Sequence, residues 1–273
     1  MRQMRVSEAR LTDTAVQATD LVLTYGSNVA LSASSFRVPL GGMTALIGPN
    51  GSGKSTLLSA IAGLIDPSSG SMTVGPGMQP PPRVSFVLQS TKVNESLPVT
   101  VREVVGMGRY AGIGLRRMSD EDQQAIRIAM ERTGIVDLAN RHLSDLSGGQ
   151  RQRVFLAQGL AQDHEILLLD EPLTGLDLPS AQAVDRVIHL EMTTGCTILI
   201  STHDLAEAQV ADNVLLLSGK VVASGSPGEV LTVENLTEAY GSNLLHMESE
   251  GLLIDDPAHR PVPGRHVHRD RGR

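Results

Sequence analysis

The sequence predicts an α/β fold in which helices cover a mainly parallel sheet. Two observations favour this class: short apolar runs alternate with longer segments of helical periodicity, and glycine-rich or polar turns separate them. With 273 residues, of which 41% are hydrophobic, the chain is long enough to bury a core without disulfides or a structural metal. A content of 19% charged residues is close to that of globular proteins, which excludes wholesale disorder.

The strands are predicted from the patterning of apolar residues. Alternation over 18–24 and 32–38 predicts an antiparallel edge region near the start of the chain. A hairpin that turns at Ser218-Gly219 is predicted within 214–223. Continuous apolar runs are typical of buried parallel strands. Such runs predict central strands at Met43–Ile47, 84–88, 166–169 and 197–200.

Helices are predicted between these strands. Ser119 is a favourable N-cap for a helix over 119–134, whose apolar residues fall near one face. The proline-rich stretch 76–82 predicts a turn-rich connector inside the domain. The other predicted helices cover 55–64 and 147–162, and a short one begins within 226–231.

Composition limits the classes of function. The net charge of −7 argues against a general nucleic-acid coat. No apolar run approaches the roughly 20 residues of a transmembrane helix, so we expect a soluble protein. Cys196, the single cysteine, excludes a disulfide within the chain, which favours a reducing compartment and a buried, hydrophobic role for the thiol.

A glycine-rich segment between the first central strand and the following helix matches the pattern G-x-x-x-x-G-K-[ST]. Its glycines let backbone N–H groups turn toward a phosphate, and the helix N-terminus adds positive potential. Lys54 supplies a positive charge for the β- and γ-phosphates, and the Ser55 hydroxyl can bind Mg²⁺. The predicted nucleotide-binding residues are Gly48, Pro49, Asn50, Gly51, Ser52, Gly53, Lys54, Ser55 and Thr56.

Two adjacent carboxylates, Asp170 and Glu171, end the apolar run 166–169. Such a pair is costly unless a cation or a proton is shared, so Asp170 is expected beside the Mg²⁺ site, directly or through water. Glu171 is then expected near the γ-phosphate, within reach of an attacking water.

The motifs, in their order along the chain, resemble those of the ATP-binding-cassette (ABC) ATPases. Leu146-Ser147-Gly148-Gly149-Gln150 matches the signature of that family and lies between the phosphate loop and the two carboxylates. Other residues resemble the Q-loop glutamine, the D-loop aspartate, the switch histidine and the aromatic residue that stacks on adenine: Gln89, Asp177, His203 and Tyr25. The resemblance covers about residues 16–240.

The resemblance implies a P-loop NTPase-type mixed sheet with an antiparallel β edge region and an inserted helical subdomain that carries the signature. It predicts an ABC ATPase domain at 1–255, with the helical subdomain at about 90–160. The remaining residues, 256–273, are rich in Pro, Arg, Gly and His and predict a disordered basic tail.

The resemblance also implies ATP and Mg²⁺ as ligands. Ser55, Gln89 and Asp170 would hold the metal. Glu171 would act as the general base or orient the water, and His203 would hold the γ-phosphate and that water. Because Glu171 and His203 are both present, we expect an active ATPase rather than a regulatory subunit without turnover.

Such cassettes dimerise head to tail around two ATP molecules. Each ATP is bound by the phosphate loop of one subunit and by Ser147 and Gly149 of the other. The resemblance therefore implies a homodimer on a transmembrane permease, peripheral at the cytoplasmic face of the cell membrane, with an extracytoplasmic metal-binding protein and no nucleic acid.

The segment 97–110 predicts the transported substrate. It follows Gln89, where transport cassettes contact the coupling helix of a permease. Its Leu97–Val101 stretch, followed by Gly106-Met107-Gly108-Arg109-Tyr110, resembles the cassettes of zinc and manganese importers, and those of actinobacterial-type zinc importers in particular. We therefore predict import of a divalent metal, zinc first and then manganese. Cassettes for chelated iron or cobalamin are also similar, and exporter cassettes share the catalytic residues. A nucleic-acid-associated ABC ATPase is a remote alternative, because the chain lacks the coiled coil or zinc modules that those proteins insert before the signature.

The remaining histidines give weaker signals. The tail contains His259, His266 and His268, of which His266-Val267-His268 could chelate zinc weakly, but a solvated basic tail is the simpler interpretation. The other histidines show no ligand-like spacing and are interpreted as surface or packing residues: His142, His164, His189 and His246.

Overall fold

The computed structural model describes residues 13–88, 98–113, 117–241, 245–248 and 251–254. A six-stranded sheet forms its centre, and all neighbouring strands in it pair in parallel except the last two. From edge to edge the strands are β5 (Val84–Val87), β6 (Ile166–Asp170), β7 (Thr197–Thr202), β3 (Met43–Ile47), β8 (Asn213–Leu217) and β9 (Val221–Gly225).

A second, antiparallel sheet covers one face of the central sheet. Its strands, in spatial order, are β2 (Asn28–Pro39), β1 (Thr14–Tyr25) and β4 (Ser69–Val74). Helix α1 (Lys54–Ile61) packs into the same core, where its Leu57 and Leu58 are fully buried. This apolar layer anchors the start of α1, and with it the loop that follows β3.

A helical subdomain is inserted between β5 and β6. It has its own apolar core, in which Val105, Ile126 and Val154 are almost completely buried. Thr100, Ser119 and Ser147 each form a capping box that fixes the start of a helix. The helices are α2 (Val101–Met107), α3 (Tyr110–Ile113), α4 (Asp120–Arg132) and α5 (Gly148–Leu160).

The opposite face of the central sheet is covered by the later helices. Val184 and Ile188 pack there against Leu167 and Ile198 of the sheet. A separate two-stranded hairpin follows. These elements are α6 (Leu178–Thr193), α7 (Leu205–Gln209), α8 (Pro227–Val230), α9 (Val233–Tyr240), β10 (Leu245–Glu248) and β11 (Gly251–Ile254).

The predicted fold class is confirmed: a mixed α/β sheet, an antiparallel edge region and an inserted helical subdomain are all present. Ser119 caps its helix as predicted. The sequence patterns did not predict β4, the β10–β11 hairpin or the helices α2, α3, α6, α7 and α9. The domain bounds remain a prediction, and the predicted tail at 256–273 lies outside the described residues. Within the described part of the chain, no helix is long and apolar enough to cross a membrane.

Candidate nucleotide site

Three strands of the central sheet lead into predicted site residues at one edge. β3 leads into the phosphate loop (residues 48–56), β6 ends at Asp170, and His203 follows β7. Because β3, β7 and β6 are parallel neighbours, their carboxyl ends lie side by side, as in other open α/β sites. Gln89 belongs to the same predicted site, but it lies outside the described residues.

The phosphate loop folds around the ammonium group of Lys54. The Nζ donates hydrogen bonds to the carbonyl oxygens of Gly48, at 2.7 Å, and Pro49, at 3.1 Å. The side chain is almost fully enclosed, since Lys54 is 5% exposed. The loop therefore holds a positive charge at the place where the motif predicts phosphate.

Two glycines allow this loop to approach neighbouring strands. Gly53, the residue before α1, has a φ of +100°, and a Cβ there would lie 2.6 Å from the carbonyl oxygen of Ala30. A Cβ on Gly48 would overlap the carbonyl oxygen of Leu217. Beside them, the buried Ser52 hydroxyl makes no hydrogen bond within the described part of the chain. A buried donor without a partner is costly, so a ligand oxygen would satisfy it.

The carboxylate of Asp170 joins two hydroxyl groups. Its Oδ1 accepts a hydrogen bond from Ser55 Oγ at 3.1 Å and another from Ser201 Oγ at 2.5 Å. Asp170 and Ser201 are direct partners in the β6–β7 register, so the sheet itself brings them together. Ser55 and Asp170 thus supply a hydroxyl and a carboxylate oxygen, the ligand chemistry that suits Mg²⁺.

Glu171 adopts an unusual backbone conformation. Its φ is +46°, a left-handed value that costs a residue with a Cβ about 1–2 kcal/mol. The backbone N–H donates to Ser201 Oγ at 2.9 Å, and the carboxylate Oε2 accepts from Thr174 Oγ1 at 3.3 Å. Strained backbone conformations concentrate at functional sites. The φ of Glu171 sets the direction in which its carboxylate leaves the end of β6.

His203 and Tyr25 border this edge. His203 is half-buried and lies one helical turn before Glu207 of α7. Burial raises the pKa of Glu207, although a hydrogen bond with Thr202 acts against the rise. Tyr25 ends β1 and is 73% exposed, so its ring is accessible to a ligand.

The signature segment begins helix α5. Ser147 Oγ accepts from the Gln150 N–H at 3.3 Å, and Gln150 Oε1 accepts from the Ser147 N–H at 3.0 Å. Gly149 packs tightly against Ser180 at the start of α6, and a Cβ there would also lie 3.4 Å from Asp177 Oδ1. Hydrogen bonds from Ser180 lower the pKa of Asp177. The signature and the predicted D-loop therefore form one packed unit.

The sequence family described as ABC transporter matches residues 31–174, more than half of the chain. The chain belongs to the ABC transporter family. It is an ATP-binding cassette, and the activity of such cassettes is ATP hydrolysis. The family predicted from the motif order is confirmed.

Two similar proteins belong to metal transport systems. The zinc transport system ATP-binding protein TroB of Treponema pallidum is 39% identical over 88% of this chain and 91% of its own length. The manganese transport system ATP-binding protein MntA of Synechocystis sp. is 39% identical over 80% of this chain and 87% of its own length. A solved structure described as a metal-chelate type ABC transporter, in an inward-facing conformation, matches with a TM-score of 0.74 and 28% identity over 88% of this chain and 95% of that one.

The structure adds residues that the sequence analysis of this cassette missed. Ser201 hydrogen bonds both to the Asp170 carboxylate and to the Glu171 backbone, and Thr174 contacts the Glu171 carboxylate. Ser201 lies within a β-strand pattern, so only the strand register identifies it. The roles assigned to the individual site residues stay predictions.

Proposed function

We propose that this ABC cassette powers import of a divalent metal ion, zinc first and manganese second, through a separate permease. The carrying observation is its 39% identity, over 88% of the chain, to the ATP-binding protein of a zinc transport system. The equal identity to the ATP-binding protein of a manganese transport system supports manganese as the second candidate ion.

The geometry supports the predicted roles at the phosphates. Lys54 and the N–H groups of the phosphate loop bind phosphate oxygens, with Ser52 as an additional donor. Ser55, Gln89 and Asp170 would hold Mg²⁺, which would supply positive charge beside the phosphates. The unpartnered Ser52 hydroxyl and the oxygen donors of Ser55 and Asp170 fit such a charged ligand.

Hydrolysis needs a positioned water at the γ-phosphate. Glu171 orients that water or accepts its proton, and His203 holds the γ-phosphate beside it. Ser201 is a positioning residue, since its one hydroxyl fixes the Asp170 carboxylate and the backbone of Glu171 together.

A second copy of the chain completes the site. Ser147 and Gly148 at the start of α5 are exposed, and this helix of 13 residues directs N–H groups outward. The signature of one copy faces the γ-phosphate bound by the other. ATP thereby closes a head-to-tail homodimer, and hydrolysis opens it.

The dimer works beneath a permease. Leu88, Met107 and Tyr110 are apolar or aromatic side chains that are 56%, 39% and 54% exposed. Leu88 directly precedes the segment 89–110 that predicts the permease contact, and Met107 and Tyr110 lie within it. Exposed apolar side chains at this place support a permease contact and, with it, a peripheral location at the cytoplasmic face of the membrane. A metal-binding protein on the other side, and no nucleic acid, are what the family resemblance implies for such a transporter.

Uptake into proteoliposomes tests the proposal. Vesicles contain this chain, its permease and its binding protein, with ATP on the side of the cassette and Zn²⁺, Mn²⁺ or chelated iron on the other. Zn²⁺ accumulation is expected, and Lys54→Ala abolishes it because the loop loses its charge. Lys220→Ala, which removes a surface ion pair with Glu238, is the matched control and leaves uptake unchanged.

The pattern of uptake separates the alternatives. Uptake of chelated iron without Zn²⁺ or Mn²⁺ would contradict the assigned substrate and leave the cassette roles intact. ATP-dependent movement only in the opposite direction would identify an exporter.

A further inference from the structure

A cluster of three metal-binding side chains lies at the edge of the sheet opposite the nucleotide site. His164 comes just before β6, Cys196 just before β7, and Glu191 lies in the last turn of α6. The nucleotide site is at the carboxyl ends of these strands, whereas this cluster is at their amino ends. None of the three residues therefore belongs to the ATP-binding machinery described above.

The donor atoms are close enough to share one ion. One ligand atom from each of His164, Glu191 and Cys196 lies within 4.8 Å of the other two, and His164 Nε2 is 3.4 Å from Glu191 Oε2. Around tetrahedral zinc, neighbouring nitrogen and oxygen ligands are about 3.4 Å apart, and nitrogen and sulfur about 3.6 Å. The histidine and the carboxylate already have this spacing, and a small shift of side chains brings in the thiol.

His164 is oriented as metal-bound histidines are. Its Nδ1 lies 2.8 Å from the backbone carbonyl oxygen of Gln162, so the proton on that nitrogen is donated to the carbonyl and Nε2 faces the cluster. The side chain is 6% exposed, and Nε2 is buried without a hydrogen bond within the described residues. A ring nitrogen that is directed at a thiol and a carboxylate is a position where a cation can replace the proton that faces Glu191.

The surrounding structure holds the other two donors in place. Arg132 Nη1 donates to Glu191 Oε1 at 2.6 Å, which leaves Oε2 directed at His164. The Cys196 N–H donates to the Glu191 carbonyl oxygen at 3.3 Å, and the Thr197 N–H to that of Glu165 at 3.0 Å. These backbone bonds fix the three donors relative to one another before any ion binds.

We infer that His164, Glu191 and Cys196 form a binding site for Zn²⁺, separate from the nucleotide site. One nitrogen, one oxygen and one sulfur ligand, with a fourth position for water, match the ligand number and types of three-ligand zinc sites. Thiolate and imidazole ligands favour Zn²⁺ over Mn²⁺, which prefers oxygen. The inference does not depend on which metal the transporter carries.

Bound zinc would affect the contact between two parts of the cassette. Arg132 belongs to α4 of the helical subdomain, and Glu191 belongs to α6 on the central sheet. An ion on Glu191 Oε2 would share this carboxylate with Arg132, which holds Oε1. Burial lowers the pKa of His164, but Cys196 and Glu191 outweigh burial and raise it to about 10, so the ion also has to displace a proton.

Co²⁺ titration of the full purified chain, freed of metal by a chelator and held at one pH, tests the site. A cobalt–thiolate absorption band can arise only from Cys196, because the chain has one cysteine. We expect this band to saturate at about one equivalent of Co²⁺ and to disappear when Zn²⁺ is added. The histidines of the tail cannot produce it.

Substitutions then assign the ligands. Cys196→Ser removes the band, His164→Gln weakens Co²⁺ binding at least about 100-fold, and Arg132→Gln weakens it about 10-fold. His189→Gln, which changes a histidine on the exposed face of α6, is the matched control and leaves binding unchanged. No thiolate band in the folded native chain, or a band that both His164→Gln and Glu191→Gln leave unchanged, would overturn the inference.

Discussion

Removing the Ser201 hydroxyl should weaken the positioning of Asp170 and Glu171 relative to each other. Ser201 is fully buried; its Oγ donates to Asp170 Oδ1 at 2.5 Å and accepts from the Glu171 N–H at 2.9 Å. Ser201→Ala deletes both bonds with little change in volume. The Glu171 N–H, already in a strained left-handed backbone, then loses the acceptor that holds it.

The two lost contacts set the expected size of the effect. A hydrogen bond to a charged group contributes about 1.5–3 kcal/mol, and a buried donor left without a partner costs about 1–3 kcal/mol. The free energy of unfolding should therefore fall by about 3–5 kcal/mol. If about 1.4–2.8 kcal/mol of this stabilisation is also lost from the transition state of hydrolysis, kcat falls about 10- to 100-fold. KM for ATP should change little, because Lys54 and the phosphate loop are untouched.

Ser85→Ala is the matched control. Ser85 is also fully buried in the central sheet, and its hydroxyl donates to the neutral carbonyl oxygen of Gly159 at 2.9 Å, far along the chain from the catalytic residues. That carbonyl keeps a second donor, the Gln162 N–H, so we expect a loss of only about 1 kcal/mol. Chemical denaturation measures stability, and steady-state ATPase assays separate kcat from KM. Equal kcat values in Ser201→Ala and Ser85→Ala would refute the positioning role.

Three further predictions concern the same cassette. Glu171→Gln should lower ATP turnover at least about 100-fold while ATP still drives dimerisation, as measured by ATPase assay and size-exclusion chromatography; unchanged turnover would exclude Glu171 as the base. Gly53→Ala should destabilise the fold by at least about 3 kcal/mol and Gly51→Ala by only about 1–2 kcal/mol, because a Cβ meets the Ala30 carbonyl at position 53 and open space at position 51; equal denaturation midpoints would contradict the steric argument. Burial raises the pKa of Glu207, so its stabilising contribution is present below the ordinary glutamate pKa and is lost as the pH rises through the raised value. Glu207→Gln should therefore raise the thermal midpoint at pH 7 and change it little near pH 4, and a larger gain at the acidic pH would contradict the assigned direction.

The core of the fold was predictable because its signals are local. The continuous apolar runs of β3, β6 and β7 identify buried parallel strands without knowledge of their partners. The strand β4 (Ser69–Val74) was missed because its residues are mostly exposed or half-buried and include a glycine. Its pairing with β1 makes it a strand, and that pairing is a tertiary property.

Residues of the candidate nucleotide site were likewise predictable only where their signals are local. The phosphate loop and the signature are contiguous motifs, so spacing within a few residues was enough to predict their places at helix starts. Ser201 is 31 residues from Asp170, and the two meet only because the parallel register of β6 and β7 aligns them. A serine inside an apolar strand is normally interpreted as a packing residue, and nothing in the local sequence indicates the carboxylate beside it.

The proposed zinc site shows why spacing rules fail for ligands held by a sheet. His164, Glu191 and Cys196 do not have the short spacing of a zinc motif, so no local pattern groups them. They meet because the starts of β6 and β7 are neighbours and because α6 ends where β7 begins. Any parallel βαβ unit brings together the residues before its two strands and the last turn of its helix. A histidine and a cysteine that precede adjacent strands can therefore form a metal site at this junction, since the backbone supplies the proximity that a contiguous motif would otherwise encode.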